Sequence, residues 1–271
     1  MEFFITLEKI LQIKEPSVKC SSFKTFYEKY LKSEFEFNHE HKSLEFEEPS
    51  YLPFCKLESK DFVVKRKKLS VDKGKAIFLH AISHIEYSAI DLALDAAYRF
   101  KNMPKKFYDD WLEVASDEVR HFIMLEELLK DVDSYYGQYP VHNGLFRASV
   151  NTKLLYERMA VVPRYLEANG LDATPVMVEK LEKIQDDIKA QNMIKVLEVI
   201  LEEEIEHVLK GDFWFKYACD EKNLDYDIYF EIIEKHYPSP FPRKKDINIK
   251  ARQEAGFSCP ELKRMNEDAK C

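Results

Sequence analysis

A chain of 271 residues with 45% hydrophobic content and a net charge of −8 can fill one large core, and it lacks the global positive charge of a general nucleic-acid binder. Only six glycines, with abundant Leu, Glu, Lys and Ala, favour helix over sheet. No apolar run reaches the roughly 20 residues that cross a bilayer, the N-terminus has no basic signal segment, and five scattered cysteines lack CxxC spacing; a cytoplasmic protein with reduced thiols and no disulfide framework is expected.

Residues 1–70 read as a partly helical N-terminal appendage. Met1–Leu11 and Ser21–Leu31 predict short helices, and Pro49, Pro53 and dense charge break the pattern from Lys32 to Lys68, with a short extended piece at Phe62-Val63-Val64. The core, 71–236, opens with a helix over about Val71–Lys101 that is apolar nearly all round from Ala76 to Tyr98. It nevertheless contains His80, His84, Glu86, Asp91 and Asp95. An ionised carboxylate there is costly unless paired or bound to a cation, which marks Glu86. His80 and His84, one turn apart, read as hydrogen-bonded core histidines, with His84 beside the site and not a ligand.

Pro104 begins a second helix to about Val132, whose apolar stripe of Trp111, Leu112, Ala115, Val119, Phe122 and Leu125 runs beside Glu118 and His121. A long connection with Gly137, Pro140 and Gly144 follows, as a bundle crossover requires. The third helix is expected over Leu145–Asn169, bent at Pro163 and stopped by Asn169-Gly170. Thr174-Pro175 reads as the start of a helix to about Lys189, and a further helix from about Asp187 or Ala190 to Cys219 has Glu202 and Glu206 on its outer face. A short helix over Tyr226–His236 precedes Pro238, Pro240 and Pro242. The remainder, 237–271, is expected as an extended tail packing through Phe257.

Two of these helices carry the same pattern: Asp117-Glu118-Val119-Arg120-His121 and Glu203-Glu204-Ile205-Glu206-His207. Glu and His three apart share one helix face. Two such pairs, with one glutamate from each of two further helices, make a four-carboxylate, two-histidine site for two metal ions. Glu86 and Glu167 are the candidate single glutamates. Glu167 is preferred to its rival Glu157 because its separation from Glu204 is closer to that of Glu86 from Glu118. A third match, Glu36-Phe37-Asn38-His39, lies in a polar stretch without helical periodicity and is set aside. Carboxylate and imidazole donors suit iron or manganese, as two Fe, two Mn or a mixed pair. Asp117 and Glu203 are placed to accept the free ring N–H of a ligand histidine across the bundle, Asp117 from His207 and Glu203 from His121.

Several runs resemble a known family. They are Phe107-Tyr108-Asp109-Asp110-Trp111-Leu112, Ala115 to Phe122, His142-Asn143-Gly144-Leu145, Arg158 to Pro175, Glu203 to Val208, and Ala251 to Phe257. Together they are similar to the ferritin-like "domain of unknown function 455" family over about residues 70–260, and distantly to the di-iron tRNA hydroxylases. The resemblance implies an all-α, ferritin-like four-helix bundle holding two metals on Glu86, Glu118, His121, Glu167, Glu204 and His207. Ile85 departs from the family pattern, where a histidine often precedes the first glutamate, and so does Glu203, where aspartate is usual.

The expected function is a di-metal oxidoreductase, an oxygen-dependent hydroxylase or oxygenase, using dioxygen and an electron donor. The substrate is a small molecule or a modified RNA. A small molecule predicts an aromatic pocket with Tyr87, Phe122 and Tyr165. An RNA predicts that the basic clusters Lys65–Lys68 and Arg243–Lys245 flank the mouth. The alternatives are an iron-oxidising or iron-binding protein without organic substrate, and an interaction module with a structural metal site.

Overall fold

Helix follows helix, as the composition requires: α1 Phe3–Gln12, α2 Pro16–Leu31, α3 Asp72–Arg99, α4 Lys105–Asp131, α5 Gly144–Asn151, α6 Leu155–Val161, a π-helical segment Val162–Glu167, α7 Ala168–Glu182, α8 Ile188–Asp220, α9 Ile228–His236, α10 Ile249–Glu254 and α11 Cys259–Met265. The computed structural model describes residues 1–59, 68–184, 186–242 and 247–271. The segment Phe62-Val63-Val64 and the basic residues at 65–67 and 243–245 lie outside them. Among the described residues, β-pairing is confined to two isolated bridges. The protein is all-α among the described residues, with long core helices and additional helices at both ends, consistent with a ferritin-like bundle with appendages. It folds as two compact units, Met1–Val150 and Asn151–Cys271.

In the first unit α3 and α4 form the main hairpin. Twenty-eight residues long, α3 is buried on most of its circumference, as its all-round apolar sequence predicts. The N-terminal helices pack on this hairpin, α1 against α3 and α2 against α4. Glu2 caps α1 by accepting from the amide of Phe4 at 3.1 Å. Phe3 stacks on Phe37 at 4.3 Å and meets Tyr108 edge-on at 5.4 Å. The discarded Glu36–His39 match is thus structural: Phe37 joins this aromatic nest and His39 Nδ1 accepts from the Asn102 amide at 3.2 Å. Lys19 is fully buried and ion-paired with Asp91, whose other oxygen accepts from Ser50 Oγ at 2.6 Å. Asp91 thus carries the partner that a charge in an apolar helix needs.

In the second unit α6, the π segment and α7 form one continuous rod against α8. The sequence predicts otherwise: a helix over 145–169, a stop at Asn169-Gly170 and a new start at Thr174-Pro175. Instead α5 is a separate short helix, and α7 runs through Gly170 and Pro175 to Glu182. Glycine inside a helix costs only about 1 kcal/mol. Pro175 cannot donate to the carbonyl of Leu171, but Asn248 Nδ2 does so at 3.3 Å. The carbonyl of Ala168 accepts from Arg252 Nη2 at 3.0 Å.

The C-terminal region forms two short helices. Asn248 caps α10, and a reciprocal Ser258–Glu261 capping box starts α11. Phe257 is buried between them, 3% exposed. The expectation of wholly reduced cysteines is corrected: Cys259 and Cys271 are disulfide-bonded, with Cα atoms 5.8 Å apart, while Cys20, Cys55 and Cys219 are free and buried. Spacing in sequence carries no such information; the chain after α11 turns back and brings the two Cα atoms within bonding range.

Candidate metal centre

The α3–α4 hairpin builds the first half of the site. Glu86 is 4% exposed because α3 has almost no solvent face; Glu118 and His121, one turn apart on α4, are fully buried. His121 Nδ1 lies 3.2 Å from Glu86 Oε2 and 3.5 Å from Glu118 Oε2. One ligand atom from each of these three lies within 4.8 Å of the others. Burial alone would lower the pKa of the imidazole, but Glu118 and Glu86 outweigh it and hold His121 up at about 11. Positive charge is therefore strongly favoured between these groups, and a divalent cation bound there would replace the proton. Oxygen and imidazole donors without thiolate match iron or manganese.

The second unit repeats the Glu–His pair. On α8, His207 Nδ1 lies 3.7 Å from Glu204 Oε1, with His207 fully buried and Glu204 8% exposed. Glu202 and Glu206 face solvent, as the periodicity predicts. Glu167 is the last residue of the π segment, and its Oε2 is shielded from solvent. The rival Glu157 accepts from Lys235 of α9 at 2.9 Å. Asp117 accepts from Arg120 Nη2 at 2.8 Å, and Glu203 sits half-buried on α8. Ile85 faces outward, 46% exposed.

The two core histidines pin the connection after α4. His84 uses both ring nitrogens, Nδ1 with the Tyr136 hydroxyl and Nε2 with the carbonyl of His142, each at 2.9 Å. His80 Nε2 accepts from the amides of Gly137 at 2.9 Å and Tyr139 at 3.3 Å. Burial pushes both pKa values down to about 4, so both rings are neutral. Gly137 has φ +103°, and a Cβ there would stand 2.9 Å from the Phe54 carbonyl, so glycine is required at the turn.

Tyr87 and Phe122 are fully buried in an aromatic cluster. Their rings are 5.1 Å apart, and Tyr136 closes the cluster at 5.3 and 5.2 Å. Tyr165 packs on Tyr237 at 4.7 Å in the second unit. A cleft of about 540 Å³ in the first unit is floored by Ser88, Asp91, Asp95 and Arg99 of α3. At about 100° per residue these positions fall on the opposite side of α3 from Glu86. On this floor Asp91 is paired with Lys19 and Asp95 with Arg99.

Sequence reasoning gave no role to Arg164, Arg252, Asp172 or Asp212. Arg164, Arg252 and Asp212 are buried, and Asp172 is half-buried. Arg252 forks onto Asp172 at 2.7 and 2.9 Å, and Arg164 Nε meets Asp212 at 2.9 Å. An arginine inside the otherwise apolar run Met159–Leu166 was the available signal, because such a charge must have a partner.

The family described as "Protein of unknown function (DUF455)" matches residues 12–263. The chain belongs to the DUF455 family. Both Glu–His pairs and all six proposed ligands lie within the matched segment. A protein of Haemophilus influenzae named "Uncharacterized protein" is 40% identical over 208 residues, covering 73% of this chain and 70% of the relative. No solved structure matches this DUF455 chain. Among the described residues, no helix is long and apolar enough to cross a membrane.

Proposed function

We propose that this protein binds two ions of iron or manganese and works as an oxygen-dependent oxidoreductase on an organic substrate. In this proposal Glu204 joins Glu86, Glu118 and His121 in one chamber, and Glu167 and His207 complete the six ligands. The observation that carries it is the buried cluster of Glu86, Glu118 and His121, which combines two carboxylates and an imidazole nitrogen at ligand spacing. Its chemistry is supported by the repeated Glu204–His207 pair on α8. When bound, the two metals supply dioxygen activation, and with it the oxidation of a C–H bond.

The protein's own groups have defined tasks in this proposal. The glutamates offset most of the charge of two divalent ions, which makes burial tolerable. His121 and His207 present Nδ1 inward, leaving Nε2 to donate to an orienting acid; Glu203 and Asp117 are assigned that part. The packed cluster of Tyr87, Phe122 and Tyr136 seals one flank of α3–α4 from water. An electron donor and dioxygen are required partners. The substrate is a small molecule or a modified RNA, and the salt dependence of binding separates them, because RNA binding falls steeply with ionic strength. A cytoplasmic location belongs to the same proposal and agrees with the three buried free thiols; the Cys259–Cys271 pair is the bond that a reducing compartment would open.

The test is metal analysis of protein purified without chelator, then anaerobic reduction and exposure to air. About two Fe or Mn per chain are expected, with a transient visible absorption on oxygenation. Metal-free protein that also takes up no added Fe(II) or Mn(II) would refute the proposal.

A further inference from the structure

A π turn holds one more residue than an α turn, so it rotates every following side chain by about 100° relative to an unbroken helix. Glu167 closes such a segment, so its direction depends on what keeps Val162–Glu167 wide. Pro163, near the start, cannot make the α-helical bond to the carbonyl of Met159. What holds the widened turn is α8. A Cβ on Gly211 would stand 2.2 Å from Pro163 Cβ and 2.4 Å from Cγ, so only glycine lets the proline ring seat there. The next residues pair as well: Arg164 Nε meets Asp212 Oδ1 at 2.9 Å.

Arg164 is fully buried, and its guanidinium lies 4.7 Å from the Phe215 ring, 4.5 Å from Tyr229 and 4.8 Å from Phe257. Arg164 Nη2 donates to Glu261 of α11 at 2.6 Å, and the carbonyl of Arg164 accepts from the Tyr229 hydroxyl at 3.2 Å. Asp212 is closely approached in turn: a Cβ on Gly256, at φ +95°, would come within 2.5 Å of its Oδ2. Two consecutive residues of the π segment are therefore locked onto two consecutive residues of α8. Gly211 lies one turn beyond His207, and Glu167 one turn beyond Pro163.

We infer that the Pro163–Gly211 and Arg164–Asp212 contacts form a register clamp that aims the Glu167 carboxylate as a metal ligand beside Glu204 and His207, with Arg164 and Gly211 as positioning residues. This rests on the two-metal proposal above. The clamp explains why a fully buried, aromatic-caged arginine sits in the widened turn: it resists the sliding of α6–α7 along α8 that would let the turn relax to an α-helix and swing Glu167 away.

The experiment is titration of the full-length protein with Mn(II), reading free ion by electron paramagnetic resonance, with circular dichroism as the check on folding. Wild type, Glu167→Ala, Arg164→Lys and Gly211→Ala are compared. Arg164→Lys keeps the charge but loses the fork and the stacked plane; Gly211→Ala drives Pro163 off α8. Both should retain the first ion and weaken the second about tenfold or more, as Glu167→Ala does. Combining Gly211→Ala with Glu167→Ala should add no further loss. If either variant fails to fold, Phe257→Leu, which removes one face of the Arg164 cage, takes its place with the same expectation. Folded variants that bind both ions as wild type does, while Glu167→Ala loses one, would overturn the clamp and leave the metal centre standing. Wild type that binds neither Mn(II) nor, in a parallel anaerobic titration, Fe(II) would remove the metal centre itself.

Discussion

Replacing His80 by glutamine should flatten the acid limb of the stability curve. His80 is 2% exposed, and its Nε2 accepts from two backbone amides, those of Gly137 and Tyr139. A proton on Nε2 would set N–H against N–H and break both bonds. Burial lowers the pKa from 6.5 to about 4. At about 1.4 kcal/mol for each tenfold in proton affinity, this corresponds to roughly 3 kcal/mol. The folded pKa lies below the unfolded one, so the contribution is complete above pH 6.5. Between 6.5 and about 4 the unfolded chain takes up a proton that the folded protein refuses, and the contribution is lost as pH falls. Glutamine can accept from both amides without titrating. Urea unfolding of wild type and His80→Gln at pH 7, 6, 5 and 4.5 measures the difference. The variant should start about 1 kcal/mol less stable at pH 7 and converge on wild type, or cross it, on acidification. Hydrogen exchange at Gly137 and Tyr139 should quicken with acid beyond its intrinsic pH dependence in wild type only. Parallel stability curves for the two proteins would refute the assigned protonation state.

Glu118→Ala should bring bound metal below one ion per chain by elemental analysis; unchanged metal content would show that the ligand assignment is wrong. Arg252→Ala removes the fork on Asp172 and the bond to the Ala168 carbonyl. It should cost about 3 kcal/mol in denaturant unfolding, with early proteolysis in 247–271, and a loss below 1 kcal/mol would contradict the buried pairing. Thiol titration of denatured, unreduced protein should count three cysteines, rising to five after reduction. Five before reduction would show the Cys259–Cys271 bond open.

The helices of the first unit were legible because their signals are local. The predicted Val71–Lys101 and Pro104–Val132 helices are within a few residues of α3 and α4. Glu118 with His121, and Glu204 with His207, share faces because spacing along a helix decides it, and both pairs come within 4 Å. Glu86 was legible from its apolar neighbours. The segment from Leu145 to Lys189 was misread because Asn169-Gly170 and Thr174-Pro175 are stop and start signals only when no distant group compensates them. Asn248 and Arg252, 77 and 84 residues on, satisfy the carbonyls of Leu171 and Ala168 respectively. The same dependence hid the role of Arg164, whose partner Glu261 is farther still along the chain.

By itself, then, the sequence determined the helical class, the two Glu–His faces and the buried carboxylate of α3, because hydrophobic periodicity and i,i+3 geometry follow from the backbone alone. Only the tertiary structure decided that α7 continues through a glycine and a proline, that the chain widens into a π turn before Glu167, and that Cys259 meets Cys271. Each of these depends on a contact between residues far apart in the chain or on a return of the backbone, and such contacts exist only once the helices have packed.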